Sequence, residues 1–214
     1  MNELNKRILT SLFLIFILYL SITNIYLLTL FLILIFFETL FEFYKIQKKI
    51  IKNNLYLYLS ILMLIIIIFN ILFQIWIIIF NNDLIGKLHL TFIISICILT
   101  DIGGYIFGKI FKGKKLTKIS PKKTYSGMIG SFSLSIIITL FLFQNFFSTI
   151  EIIVYSFIIS AISQFGDLLI SFIKRKAKIK DTGNILPGHG GVLDRLDGIF
   201  FGIPFGFISL ILLF

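Results

Sequence analysis

Residues 55–80 read LYLYLSILMLIIIIFNILFQIWIIIF, with no charged side chain among them. An α-helix rises about 1.5 Å per residue, so roughly 20 apolar residues cross a hydrocarbon core about 30 Å thick. This run is long enough to cross with tilt, or to be two short segments broken near Asn70. Outward from it, comparable runs stand at 8–22, 24–43, 88–111, 127–147, 150–173 and 197–214. The pattern predicts an all-α, polytopic transmembrane helical bundle of about seven spans, within a range of six to eight. Composition agrees, since 58% of the 214 residues are hydrophobic and mean hydropathy is +1.04, against about 45–50% apolar content in soluble domains. No repeat, soluble domain or long linker interrupts the chain. The expectation is therefore a single integral membrane domain over 1–214, with N-terminal spans in 1–95 and, in 96–214, a second part that carries the two richest polar loops. The run at 8–22 follows Lys6 and Arg7 in the manner of a signal peptide, but no small-residue cleavage site comes after it, and it is expected to be retained. Cys97 is the one cysteine, which excludes an intrachain disulfide.

Orientation is read from the cations, because short cytoplasmic loops are enriched in Lys and Arg. Lys6 and Arg7 precede the first run. Lys45, Lys48, Lys49 and Lys52 follow the second, Lys112, Lys114, Lys115, Lys118, Lys122 and Lys123 the fourth, and Lys174, Arg175, Lys176, Lys178 and Lys180 the sixth. The loops between carry little: Asp83 and Lys87 in one, Glu151 in another. Every second loop is basic, which predicts a cytoplasmic N-terminus and both polar loops on the cytoplasmic side. The net charge of +10 is thereby assigned to orientation and anionic ligands, with no nucleic-acid partner expected.

Three places break the apolar rule. Asp101, Tyr105 and Gly108 recur at helical spacing in a predicted span. An acid at such depth costs at least about 2.5 kcal/mol unless it faces protein, water or a cation; a helix–helix hydrogen bond beside close-packing glycines is the alternative. Ser163, Asp167 and Ser171, four residues apart, form a polar stripe that must face the bundle interior, as an interhelical contact or as a cation site. Asp194 and Asp197 share one side of a helix expected to start near Gly191, after the flexible PGHGG turn at 187–191. Such a turn can aim backbone N–H groups at phosphate, and carboxylates of this kind suit a hard cation such as Mg²⁺. His189 has no companions for a zinc set. In the basic loop, Ser120, Lys122, Lys123, Thr124 and Ser126 gather hydroxyls and cations able to hold phosphate oxygens.

The stretch GDLLISFIKRKAKIKDTGNILPGHGGVLDRLDG at 166–198 closely resembles the signature of the phosphatidate cytidylyltransferase (CDP-diacylglycerol synthase) family, and DIGGYIFGKIFKGKKLTKISPKKTYSG at 101–127 is similar to a second block of it. Together they cover under a third of the chain. Ser126 stands where the family usually has Glu, and Lys109 where it often has Arg. The resemblance implies transfer of the cytidylyl group of CTP to phosphatidic acid, giving CDP-diacylglycerol and pyrophosphate. It further implies Asp167, Lys180, Asp181, Asp194 and Asp197 as the catalytic group, with Asp167 and Asp194 as ligands of Mg²⁺, one ion or two. Substrate would be held by Asp101, Tyr105, Ser120, Lys122, Lys123, Thr124, Lys174, Arg175, His189 and Arg195. The implied setting is the bacterial cytoplasmic (inner) membrane, among membrane lipids, with the active site facing the cytoplasm and a homodimer admitted. The rival readings are a CTP-dependent polyprenol or dolichol kinase and, from another class, a cation transporter using Asp101 and Asp167.

Overall fold

The computed structural model describes residues 20, 24–117, 120–185 and 190–213. Apart from Leu20, the run at 8–22 lies outside the described residues, as does His189. The described residues form helices α1 (Ile25–Ile50), α2 (Asn54–Phe80), α3 (Leu84–Phe111), α4 (Tyr125–Phe143), α5 (Thr149–Lys176), α6 (Leu193–Leu196) and α7 (Ile199–Leu213), with no strand among them. Five of these, α1 to α5, are long and apolar enough to cross a membrane, and the chain is an integral membrane protein on that ground. Helix α7 has 15 residues with Pro204 inside it.

The stretch at 55–80 resolves as one unbroken helix, so the alternative of a break near Asn70 is corrected. A single Asn leaves the i→i−4 ladder intact, and the Ile and Leu on either side continue the helix. Helix α1 extends well past the apolar run at 24–43, because Glu42 to Lys49 are helix formers and the basic Lys48 and Lys49 suit a helix C-terminus. Asn24 and Asn53 cap α1 and α2, each side chain accepting from the amide two residues on, at 3.0 and 2.9 Å.

The chain divides into two compact units, Met1–Leu84 with Ile173–Leu196, and Ile85–Phe172 with Asp197–Phe214. In the first, α1 packs on α2 and on α6, burying Leu28, Leu32, Ile46, Leu57, Ile68, Ile71 and Leu193. The end of α5 belongs to this unit: Lys178 takes a left-handed turn at φ 57°, and the amides of Lys178 and Ile179 bond back to Arg175 and Lys174.

The second unit is built on close backbone approach. A Cβ on Gly103 would lie 2.6 Å from the Gly130 carbonyl oxygen, and one on Gly127 would lie 2.7 Å from that of Gly104, so α3 and α4 touch through glycine at both positions. Hydroxyls tie the helices where apolar surface gives no directional preference: Ser131 donates to the Thr100 carbonyl at 2.7 Å, Thr100 to Ser160 at 2.9 Å, and Thr139 and Ser156 share a bond of 2.8 Å. Phe92 anchors an aromatic cluster with Phe143, Phe147 and Tyr155.

Candidate active site

In the second unit the basic loop is a folded hairpin rather than a free tether. Leu116 N–H donates to the Lys123 carbonyl at 2.8 Å and Tyr125 N–H to that of Lys114 at 3.0 Å. Thr124 caps α4 by accepting from Gly127 N–H at 3.1 Å, and Ser126 accepts from Gly113 N–H at 3.2 Å. Both hydroxyls thus shape the loop. The amide of Ser120 is held by Thr117 at 3.2 Å, and its carbonyl accepts from Lys123 at 3.0 Å. Lys122 is left exposed, while Lys123 reaches α5 and pairs with Asp167. Ser171 donates to the other oxygen of Asp167 at 3.4 Å. The stripe faces inward as expected: Ser163 and Ser171 are buried and Asp167 is partly so.

Asp101 and Tyr105 are exposed on α3 and Lys109 leans over the Tyr105 ring, whereas Gly103, Gly104 and Gly108 pack toward α4 and its cap. The glycines are therefore accounted for by packing. Asp197 is buried, but not on one helix with Asp194. Helix α6 ends at Leu196, and Asp197 and Gly198 make a turn before α7, which corrects the expected continuous helix. The Asp197 carboxylate accepts from Gly198 N–H at 3.0 Å, the local competition by which Asp ends helices.

In the first unit the structure brings Lys174, Thr182 and Asp194 together. Lys174 Nζ lies 2.6 Å from Asp194 Oδ1, while Oδ2 accepts from the amides of Thr182 at 2.7 Å and Gly191 at 3.1 Å, with the Thr182 hydroxyl also 3.1 Å away. Burial opposes ionisation of Asp194, but Lys174 and the two amides outweigh it and hold the carboxyl below its usual range. Lys180, Asp181 and Arg195 are exposed along the same segment, and Arg175 donates to the Ile179 carbonyl at 2.9 Å. Among the described residues no three His, Cys, Asp or Glu side chains converge as a ready metal cage.

One acid in this unit escaped the sequence reading. Glu42, on α1, is 1% exposed. It accepts from Val192 N–H at 3.0 Å, Leu193 N–H at 2.9 Å and the Thr182 hydroxyl at 2.7 Å. The available signal was Glu38 and Glu42 four residues apart inside an apolar run, an intramembrane acid pair as noteworthy as Asp101.

The profile of the Cytidylyltransferase family matches residues 1–213. The chain is 44% identical over 128 residues to the phosphatidate cytidylyltransferase of Rickettsia felis, covering 54% of this chain and 56% of that protein. Against the phosphatidate cytidylyltransferase of Rickettsia bellii it is 48% identical over 116 residues, 49% of each. For that of Helicobacter pylori strain 26695 the figures are 38% over 122 residues, 55% of this chain and 45% of the relative. The chain spans about half the length of the curated relatives it matches.

Proposed function

We propose that this chain, which belongs to the cytidylyltransferase family, transfers the cytidylyl group of CTP to phosphatidic acid in phospholipid synthesis, as the names of its relatives indicate for them. A phosphate oxygen of the lipid attacks the α-phosphorus of CTP. The bond from that phosphorus to the α–β bridging oxygen breaks, and pyrophosphate leaves with the electron pair. Two polyanions must be brought together, so fixed cations do much of the work: Lys174, Arg175, Lys180 and Arg195, with Lys122 and Lys123, hold and neutralise phosphates. Asp101, Tyr105, Ser120, Thr124 and His189 complete the binding of substrate, and Asp181 and Asp197 lie in the segment that carries Asp194. In this reading the reaction takes place on the cytoplasmic side of a bacterial inner-membrane protein of about seven spans, N-terminus inside, where CTP is available and the lipid tails stay in the bilayer.

The observation that carries this reading is Asp194: a carboxylate held ionised against Lys174 by two amides, in the segment that bears the sequence signature. Its donor chemistry also fits Mg²⁺, which binds through one or two carboxylates and completes its shell with water and substrate phosphates. Asp167, in the second unit, and Asp194, in the first, are each proposed as a ligand of Mg²⁺, one ion or two, whose role when bound would be to neutralise phosphate charge.

The test is synthesis by the purified protein in detergent, supplied with CTP, phosphatidic acid and Mg²⁺. CDP-diacylglycerol should form with label from the α-phosphate of CTP; transfer of γ-label would show a CTP-dependent lipid kinase instead. Asp167→Asn and Asp194→Asn keep each side chain's size and remove the charge, and each should lower the rate on the order of 10² or more. Asp83→Asn, in the turn before α3, should be silent. Near-normal synthesis by both Asp167→Asn and Asp194→Asn would sink the metal assignment. Activity should also vanish in excess chelator and weaken with salt, as expected when charge holds the nucleotide.

A further inference from the structure

Glu42 lies 140 residues and more before its hydrogen-bond partners in sequence. Burial of a carboxyl group is costly unless its oxygens are engaged, and here both are. Oε1 takes Val192 N–H, and Oε2 takes Leu193 N–H and the Thr182 hydroxyl. The two amides stand at the start of α6, where N–H groups have no partner within the helix. Space is fitted to the carboxyl as well: a Cβ on Gly183 would lie 2.5 Å from Oε1, and one on Gly191 would collide with both oxygens and with Thr182.

Thr182 is the link to Asp194. Its hydroxyl has one proton and two carboxylates in reach, Glu42 at 2.7 Å and Asp194 at 3.1 Å, while its amide donates to Asp194 at 2.7 Å. The shorter hydroxyl contact assigns that proton to Glu42 and leaves the amide for Asp194. Glu42 therefore fixes Thr182 on one side of Asp194 and residues 192 and 193 on the other. We infer that Glu42 is a positioning residue of the transfer site, a buried anchor on α1 that sets the aim of Asp194; the catalytic half of this inference rests on the function proposed above.

Glu42→Gln is the decisive change. The amide has one accepting oxygen, so in either orientation its NH₂ group confronts the N–H of Val192 or Leu193. Hydrogen exchange of the full chain in detergent, without nucleotide or metal, should show protection at 192 and 193 reduced about tenfold or more. CDP-diacylglycerol synthesis should fall by at least about tenfold. In a double-mutant cycle with Asp194→Asn the two losses should be less than additive, because Glu42 acts through Asp194. Unchanged exchange at 192 and 193 would overturn the anchoring, and fully additive losses would make Glu42 a general stabiliser instead. Thr182→Val removes only the shared hydroxyl and carries the same readouts in the same direction, should Glu42→Gln not accumulate in the membrane. A wild-type protein that makes no CDP-diacylglycerol would overturn the proposed function and the catalytic half with it, while exchange at 192 and 193 decides the anchoring separately.

Discussion

Gly190 takes φ +85°, and a Cβ built on it would lie 2.9 Å from Asp194 Oδ2. Alanine there meets two penalties, about 1–2 kcal/mol for a left-handed conformation and a displaced carboxylate. Gly190→Ala should therefore lower CDP-diacylglycerol synthesis several-fold or more while leaving the membrane helices folded, as thermal unfolding in detergent would show. Acid sensitivity has a definite sign at the neighbouring pair. Asp194 is held below the ordinary carboxylate value of about 3.9. Its contribution to stability is present in full above the unfolded value and is lost as pH falls through the lower folded one. Lys174→Gln removes the charged partner, so acid unfolding should begin at higher pH than in the wild type. Asp167 and Asp194 stood out in the sequence as breaks in the apolar pattern, Lys123 as part of a loop rich in hydroxyls and cations, and Lys174 through the family resemblance. The sequence did not name their pairing, which depends on backbone turns such as the one at Lys178. Glu42 was missed because it lies near the basic end of its helix, where Lys45, Lys48 and Lys49 make an acid read as ordinary interface charge.

Helices were the more legible scale, because apolar length alone specifies a membrane-crossing segment. The five long helices coincide with the runs read from hydropathy, with boundaries shifted by up to seven residues where polar helix formers carry the helix past the apolar stretch, as in α1. What hydropathy hides is how helices meet, since lipid and protein are equally apolar. The contact of α3 with α4 depends on absent side chains: a Cβ on Gly103 meets backbone, and one on Gly130 runs into the Phe107 ring. Gly103→Ala forces the helices apart, for an expected loss of about 1–3 kcal/mol, measurable as a lower unfolding temperature in detergent. Gly130→Ala should cost at least as much, because its Cβ would collide with Phe107 Cβ, which moves only with the α3 backbone. The short helix α6 was drawn too long from sequence, as an i, i+3 acid pair does not reveal that Asp197 turns its own carboxylate onto the next amide.

At the scale of the whole chain, the segment 173–196 clusters with the N-terminal helices, although residues 85–172 precede it. Hydropathy and charge could order the spans but could not show that partnership, which lies in contacts between distant parts of the sequence. The proposed topology remains testable by the same charge pattern. Two helices long and apolar enough to cross, α4 and α5, separate the loops at 115 and 185, so single cysteines placed in either should resist membrane-impermeant reagents in intact cells and react once the membrane is opened; labelling of either one from outside would break the scheme. The bond from residue 192 to Glu42 spans 150 positions, and that span is also an interval of time. At about 5–20 residues per second, a ribosome needs roughly 8–30 s to travel it. For most of that interval Glu42 is made but its partners are not, Thr182 following 140 residues later and Val192 and Leu193 150 and 151, so the nascent helix must wait beside lipid, water or the insertion machinery until a distant stretch of the same chain completes it.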